Sequence, residues 1–360
     1  MSVDWKIPFD IQRDGLMTPA VIIYILGILS CLSIISRTAS FFLLYLRPSK
    51  LHRYLHETSG KPAWALVTGA SDGIGKHFCH ELADHGFNVV LHGRNPTKIA
   101  AVQDELVRTF PAREFRSLIA DASVIPCSNC RGRNQDQNGT ASPPQNGTTS
   151  PVDFVGIAHT LSDINLTVLI NNAGGNYAKP TDPVYQFLQD TPEARLVNNV
   201  NLNAVFPLIL QSKLLPQLIR NKPSLVLNMG SLSDNGLPML ASYASSKTFL
   251  NTLSHVIPLE LSLQGMRRGD VEVLAVRVGE TTSTSGNSHP VSLFEPDAGA
   301  MARAVLARVG CGRPAVVAYL PHALRLATLG LTPGFVREWA FLRAIRTRWM
   351  EEQELIKKGG

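Results

Sequence analysis

The chain has 360 residues, 44% of them hydrophobic and only 17% charged, with a formal charge of +6. That charged share is low against the usual ~25%, so a sizeable core is easily buried and there is material for a segment in lipid. The basic balance suits anionic partners such as phosphates, CoA or anionic lipid headgroups, and no RNA- or DNA-binding motif is present.

The first element in chain order is "PAVIIYILGILSCLSIIS", Pro19 to Ser36, which carries no charge. Its length is at the lower end of what crosses a bilayer. Arg37 interrupts, and "FFLLYL" (Phe41 to Leu46) resumes the apolar run. A cleaved signal peptide would have a shorter apolar core and a small-residue cleavage site, so an uncleaved anchor within residues 1–60 is expected. The flank that follows holds Arg47, Lys50 and Arg53 before any acid, whereas the preceding flank mixes Lys6 and Arg13 with Asp4, Asp10 and Asp14. The positive-inside rule then puts the bulk of the chain in the cytosol.

From Lys61 the pattern changes. "PAWALVTGASDGIG" reads as an apolar strand entering a glycine-rich turn, with a helix over roughly Ile74 to His85 and Gly86 at its stop. "FNVVLHGRN", "TVLINNAGG" (Thr167 to Gly175), "SLVLNMGSL" (Ser224 to Leu232) and "VEVLAVRVG" (Val271 to Gly279) are further buried strands with helical stretches between them. This alternation predicts an α/β fold, a Rossmann-like doubly wound parallel sheet over residues 61–320. The glycines after the first strand leave room for a pyrophosphate at a helix N-terminus. The second strand ends in Gly93 where NAD-binding chains carry an acid, and Arg94 follows. An arginine there accommodates a 2′-phosphate, so the expected cofactor is NADP(H).

One segment breaks the rhythm. Residues 126–151 are rich in Asn, Gln, Gly, Ser and Pro and read as a disordered insertion. It contains the Cys127 and Cys130 pair, but no second ligand pair follows, so no metal site is expected. The five cysteines make no disulfide framework. Two glycosylation sequons, at Asn138 and Asn146, lie in the same stretch; glycans there would contradict a cytosolic placement.

"SYASSKTFL" places Tyr243 and Lys247 four residues apart on one helix face. A neighbouring ammonium favours the phenolate and lowers the phenol's pKa, one route to a proton donor near neutral pH. The order TGxxxGxG, NNAG, then Asn, Ser and Tyr-x-x-x-Lys resembles the short-chain dehydrogenase/reductase superfamily over roughly Pro62 to Ala318. The flanks resemble its membrane-bound branch, which holds very-long-chain 3-ketoacyl-CoA reductase and 17β-hydroxysteroid dehydrogenase type 12.

The resemblance implies roles residue by residue. Thr68, Gly69, Ser71, Asp72, Gly73, Ile74 and Gly75 would bind the coenzyme pyrophosphate side, Arg94 its 2′-phosphate and Asp121 its adenine. Asn171, Asn172, Ala173 and Gly174 would stabilise the central sheet and line the cofactor cleft. Tyr243 would protonate the substrate carbonyl as hydride arrives, Ser231 would stabilise the same oxygen, and Lys247 would hold the nicotinamide ribose. Asn201 would organise a proton-relay water. Ser231 lies one residue nearer the tyrosine than is usual in the family, which leaves Ser233 as the alternative. Val278 replaces the family's proline before Gly279, and Thr282 and Thr284 are candidate contacts to the nicotinamide amide.

Residues 321–360 form an extension in which Phe335, Trp339, Leu342, Ile345 and Trp349 recur at helical spacing among arginines. Either an amphipathic helix on an anionic membrane or a helix closing the substrate pocket has this pattern. Lys357 and Lys358 make a dilysine retrieval signal, readable only on a cytosolic tail. The reading implied is an endoplasmic-reticulum-anchored, NADPH-dependent ketoreductase acting on a 3-ketoacyl-CoA in fatty-acid elongation. A steroid 17-ketone or 3-ketodihydrosphingosine is the alternative substrate, and a membrane scaffold of the same fold the non-enzyme alternative. Elongation enzymes and a second copy of the chain, as a homodimer, are the partners this branch suggests.

Overall fold

The structure is a computed structural model that describes residues 19–126, 150–176, 182–284, 287 and 289–359. The insertion expected at 126–151, with Cys127, Cys130 and both sequons, lies outside the described residues apart from its two ends. The chain divides into two units, residues 1–47 and 48–360.

In the first unit, Pro19–Leu46 (α1) is one unbroken helix of 28 residues with mean hydropathy 2.3 over its most apolar window, none of which is buried. Arg37 does not break it. At about 1.5 Å per residue it is longer than the ~30 Å hydrocarbon core of a bilayer.

The second unit is built on seven strands: Ala63–Thr68 (β1), Asn88–Gly93 (β2), Phe115–Ile119 (β3), Asn165–Asn171 (β4), Ser224–Ser231 (β5), Val271–Val278 (β6) and Ala315–Val317 (β7). All neighbours pair in parallel in the order β3-β2-β1-β4-β5-β6-β7. Strands β1, β2, β4 and β5 are buried along their whole length, which is why they read as continuous apolar runs rather than alternating ones. Helices cover both faces. Gly73–Asp84 (α2) packs on Pro96–Thr109 (α3) and Ala298–Leu306 (α8); Phe206–Arg220 (α6) packs on Phe154–Thr160 (α4) and Ala241–Leu263 (α7). The main apolar cluster, centred on Phe206, Leu210, Leu214 and Leu218 of α6, lies on the second face.

Strand order reverses between β1 and β4, the switch point where doubly wound sheets open a crevice at the strands' carboxyl ends. A side-chain clasp crosses it. Thr68 Oγ1 accepts from the Asn172 and Ala173 amides at 2.9 Å each, and Asn172 Nδ2 donates to the Thr68 carbonyl at 3.0 Å. Deeper in the sheet, Asn171 Nδ2 donates to Asn228 Oδ1 (2.8 Å), and Asn228 Nδ2 in turn donates to Gln211 Oε1 and Ser254 Oγ. This buried amide network ties β4 and β5 to α6 and α7. Leaving one member unsatisfied would cost about 1–3 kcal/mol.

Glu193–Val200 (α5) runs into α6 through one wide turn at Asn201–Val205, closed by a bond from the Phe206 amide to the Asn201 carbonyl. Such turns concentrate at functional sites. After β7, Leu320–Leu331 (α9) and Gly334–Gly359 (α10) complete the chain.

Candidate active site

A cavity of about 600 Å³ opens at the switch point. Its floor is the turn from β1 to α2. Gly69 has φ +68 and Gly73 φ +53, conformations that a side chain would strain. Asp72 caps α2, its Oδ1 accepting from the Gly73 amide at 2.7 Å. A Cβ on Gly75 would lie 2.0 Å from the Gly69 carbonyl oxygen. Glycine here lets the helix start against the turn, so that its N-terminal amides face the cavity, where a phosphate is best bound. Gly69, Ser71, Asp72, Gly73 and Ile74 all border the cavity, as do Arg94, Asp121, Asn172, Ala173 and Gly174. Thr68 and Gly75 stand behind them. Asp121 is oriented by Ser123, whose amide and hydroxyl both donate to Oδ1 (3.0 and 2.7 Å). At Gly93 a Cβ would meet Ile99 Cδ1 at 2.8 Å, and Ile99 is fully buried. The packing of α3 thus disfavours an acid at that position.

His92 also borders the cavity. Burial pushes its imidazole down to about 4, against the pull of nearby Asp121 and the Ala120 backbone. The neutral ring stacks on Phe206 at 5.1 Å, a packing role.

At the other end of the cavity, β5 delivers Ser231 and α7 delivers Tyr243 and Lys247. The Ser231 and Ser233 hydroxyls both act on the Tyr243 phenol, favouring its ionised form, and Ser233 Oγ donates to Ser231 Oγ at 2.9 Å. Both serines therefore meet the tyrosine, rather than one or the other. The short turn Leu232–Asn235 that makes this possible is pinned from two sides. Asp234 forms a salt bridge to Arg277 of β6 (2.5 Å), and its carbonyl accepts from Thr248 Oγ1 of α7 (2.8 Å).

Spacing alone misjudged the phenol. Its pKa is raised, not lowered: burial outweighs the hydrogen bonds from Ser231 and Ser233, which act the other way. The Lys247 ammonium lies 5.8 Å from the ring centroid and is turned to the Met229 carbonyl, to which Nζ donates at 2.8 Å. Burial lowers Lys247 to about 8. The sign of the stability effect follows from this depression. Between pH 8 and 10.5 the unfolded chain still binds this proton and the folded chain does not, so folding gains stability as pH rises through that window. The full gain is about 3 kcal/mol. Lys247→Met should abolish this rise, and denaturation midpoints of both proteins at pH 7, 9 and 10.5 would check it; parallel curves would refute it.

Asn201 does not border the cavity. Its Nδ2 donates to the Ser123 carbonyl at 3.0 Å. Two residues on, Asn203 does not border the cavity either, but it lies closer to Lys247 and binds the Gly175 backbone. Its Oδ1 accepts from the Gly175 amide (2.9 Å), and its Nδ2 donates to the Gly175 and Asn199 carbonyls. Asn203 Oδ1 and Lys247 Nζ both come within 2.8 Å of where a Gly174 Cβ would stand. The extra residue per turn in Asn201–Val205 rotates Asn203 into this position, which a regular helical period does not foresee.

Thr282 is also displaced from its expected place. It is buried and donates its hydroxyl to the His289 carbonyl. Thr284 lines the cavity as expected, and Thr281 lines it where Thr282 does not. The proline-free step into this loop is explained by α9. The Gly279 amide donates to His322 Nδ1 (3.2 Å), and His322 Nε2 then donates to the Phe294 carbonyl (2.8 Å). A Cβ on Gly279 would stand 2.7 Å from that imidazole. Glycine is required there by the close approach of the ring.

The expected amphipathic helix is α10, but its apolar residues divide. Ile345 is buried and Trp349 meets the Phe187 ring at 5.9 Å, whereas Phe335, Trp339 and Leu342 are exposed. Arg348 bonds Glu280 through both carboxylate oxygens, and Glu352 accepts from the Val184 and Tyr185 amides. The helix thus straps the loop after β4 to the loop after β6, as a helix closing the pocket would.

A glycine-floored cleft at a parallel sheet's switch point, leading to a phenol held by hydroxyls beside a buried lysine, defines an oxidoreductase of the Rossmann class. Residues 63–124 and 157–290, more than half of the chain, match the short chain dehydrogenase family, and the chain belongs to it. It is 30% identical over 326 residues to a very-long-chain 3-oxoacyl-CoA reductase of Coprinopsis cinerea, covering 87% of this chain and 85% of that one. It is 28% identical over 277 residues to such a reductase of Caenorhabditis elegans, covering 77% of each. Among solved structures, a short-chain dehydrogenase of Sphingobium yanoikuyae in complex with NADPH superposes with TM-score 0.55 at 22% identity, covering 80% of this chain and 95% of that one.

Proposed function

We propose that the protein is an NADPH-dependent 3-oxoacyl-CoA reductase of very-long-chain fatty-acid elongation, held in the endoplasmic reticulum membrane by α1 with its catalytic unit in the cytosol. The observation that carries the chemistry is the Tyr243 phenol, held by two serine hydroxyls next to Lys247 at one end of a nucleotide-shaped cleft. The substrate class is supported by the relatives' activity.

The cleft fits a dinucleotide. Glycines floor it, a helix N-terminus faces it, Asp121 stands where adenine is read, and Gly93-Arg94 favours a 2′-phosphate over a bare ribose. NADPH, when bound, supplies the hydride. The chain's own residues do the rest. A phenol whose pKa is raised stays protonated at neutral pH, the state a reductase needs at the start. Ser231 and Ser233 hold its hydroxyl and would share the charge that develops on the substrate oxygen and then on the phenolate. Lys247, still an ammonium below pH 8, would stabilise that phenolate and bind ribose hydroxyls. Asn201 would act indirectly, anchoring Ser123 and setting the wide turn that places Asn203 beside Lys247. The flank charges around α1 support the cytosolic orientation.

The test is NADPH oxidation by the full chain in detergent, with a C16 or longer 3-ketoacyl-CoA beside a steroid 17-ketone and 3-ketodihydrosphingosine. Turnover of the ketoacyl-CoA with a clear preference over NADH for NADPH is expected. Preferential turnover of either other ketone would move the substrate assignment. No turnover of any of them would favour the scaffold reading.

A further inference from the structure

A second cavity, of about 610 Å³, lies along α10. The Glu280–Arg348 ion pair links it to the loop that lines the coenzyme cleft. Glu280 sits between Gly279 and Thr281, which line the cleft, and it bonds Arg348, which lines the second cavity. Among the other lining residues on α10, Trp339, Arg343 and Thr347 are four apart and share one helix face. His289 faces them across the cavity.

Two features mark this groove as more than a solvated helix face. The Arg343 guanidinium stacks over the Trp339 indole at 5.3 Å, yet the indole remains 59% exposed. A large flat ring left open beside a cation is a platform for a base and its phosphates. The local acids are already balanced: Arg348 bonds Glu280 and reaches Glu295 at 3.5 Å. His289 Nδ1 meets Glu295 at 3.3 Å, so Nε2 is the nitrogen left to a ligand. Glu351 is the one carboxylate among the residues lining the cavity, and the Arg343 guanidinium offsets it.

We propose that this groove binds the nucleotide end of the acyl-CoA, a 3′-phosphorylated ADP, with Trp339 stacking on the adenine and Arg343 and His289 binding its phosphates. The assignment rests on the acyl-CoA reading of the active site. With the C3 ketone at Tyr243, the thioester two carbons away and its pantetheine arm run outward past Glu280–Arg348, and the groove begins on the other side of that pair. The strap formed by α10 therefore also serves recognition of the part of the substrate that does not react.

The test compares two substrates that share one reacting group: a long-chain 3-ketoacyl-CoA and the same ketoacyl chain as an N-acetylcysteamine thioester, which lacks the nucleotide. The full chain in nanodiscs is assayed with NADPH as native protein, Arg343→Gln, Trp339→Leu and Arg343→Lys. Loss of one charge-assisted phosphate contact costs about ten-fold or more in binding. We expect kcat/KM for the CoA substrate, relative to the cysteamine thioester, to fall by about that factor in Arg343→Gln and Trp339→Leu, through KM, and to be largely restored in Arg343→Lys. Equal losses on both thioesters, or losses seen only with anionic lipid in the disc, would overturn the groove assignment while leaving the reductase reading intact. No turnover of either thioester by the native protein would remove the acyl-CoA reading and this assignment together.

Discussion

Replacing Tyr243 with phenylalanine should lower kcat for ketone reduction by about 10³-fold, within the range a positioned general acid contributes, while NADPH affinity stays near native. The ring keeps its place in the cleft wall, and Lys247 keeps its bond to the Met229 carbonyl, which does not involve the phenol. What disappears is the one hydroxyl that both Ser231 and Ser233 address. Without it, two hydroxyls remain that can polarise a carbonyl but cannot deliver a proton to it at neutral pH. Steady-state rates and a fluorescence titration with NADPH would separate the two effects. Retention of more than about a tenth of the native rate would mean that the proton comes from elsewhere.

The second large effect is expected from one methyl group. Gly75→Ala should weaken NADPH binding by about 100-fold or more, because the added Cβ would stand 2.0 Å from the Gly69 carbonyl oxygen and 2.6 Å from Asn172 Nδ2. Neither neighbour can yield cheaply. Gly69 is backbone in a positive-φ turn, and Asn172 Nδ2 is committed to the Thr68 and Gly69 carbonyls. The turn itself must move, carrying with it the amides that face the cleft. Overpacking of this kind costs about 1–3 kcal/mol or more, and a hundred-fold loss of affinity corresponds to about 3 kcal/mol. Calorimetric titration with NADPH is the measurement; a dissociation constant within a few-fold of native would show that the turn is softer than its packing implies. The variant's thermal midpoint should fall as well, since the same clasp joins β1 to β4.

Most of the coenzyme side of the site was readable in one dimension. The run Thr68–Gly75 is a single turn, so its glycines, its cap at Asp72 and its strand-to-helix context all fall within a few residues of each other. The Tyr243–Lys247 pair is likewise local, since one helix face follows from spacing. Failures came where a residue's neighbours are far away in the chain. Spacing put the ammonium near the phenol, but could not weigh it against burial by β5 and the serine turn. The period of 3.6 could not reveal a wide turn that brings Asn203 rather than Asn201 to Lys247. Thr281 joins the expected Thr284 on the cavity wall in place of Thr282, in a loop whose Gly279 is held by His322, some forty residues later.

The amino-acid order alone therefore determined the class of fold, the coenzyme turn, the long apolar α1 and the serine–tyrosine–lysine set, because each is written in periodicity, glycine placement or fixed helical offsets. Tertiary structure alone decided the direction of the Tyr243 pKa, the partnership of Ser231 with Ser233, the choice of asparagine and threonine, and the strapping of α10 across two distant loops. Those outcomes depend on desolvation and on contacts between segments remote in sequence, and neither quantity exists until the chain has folded.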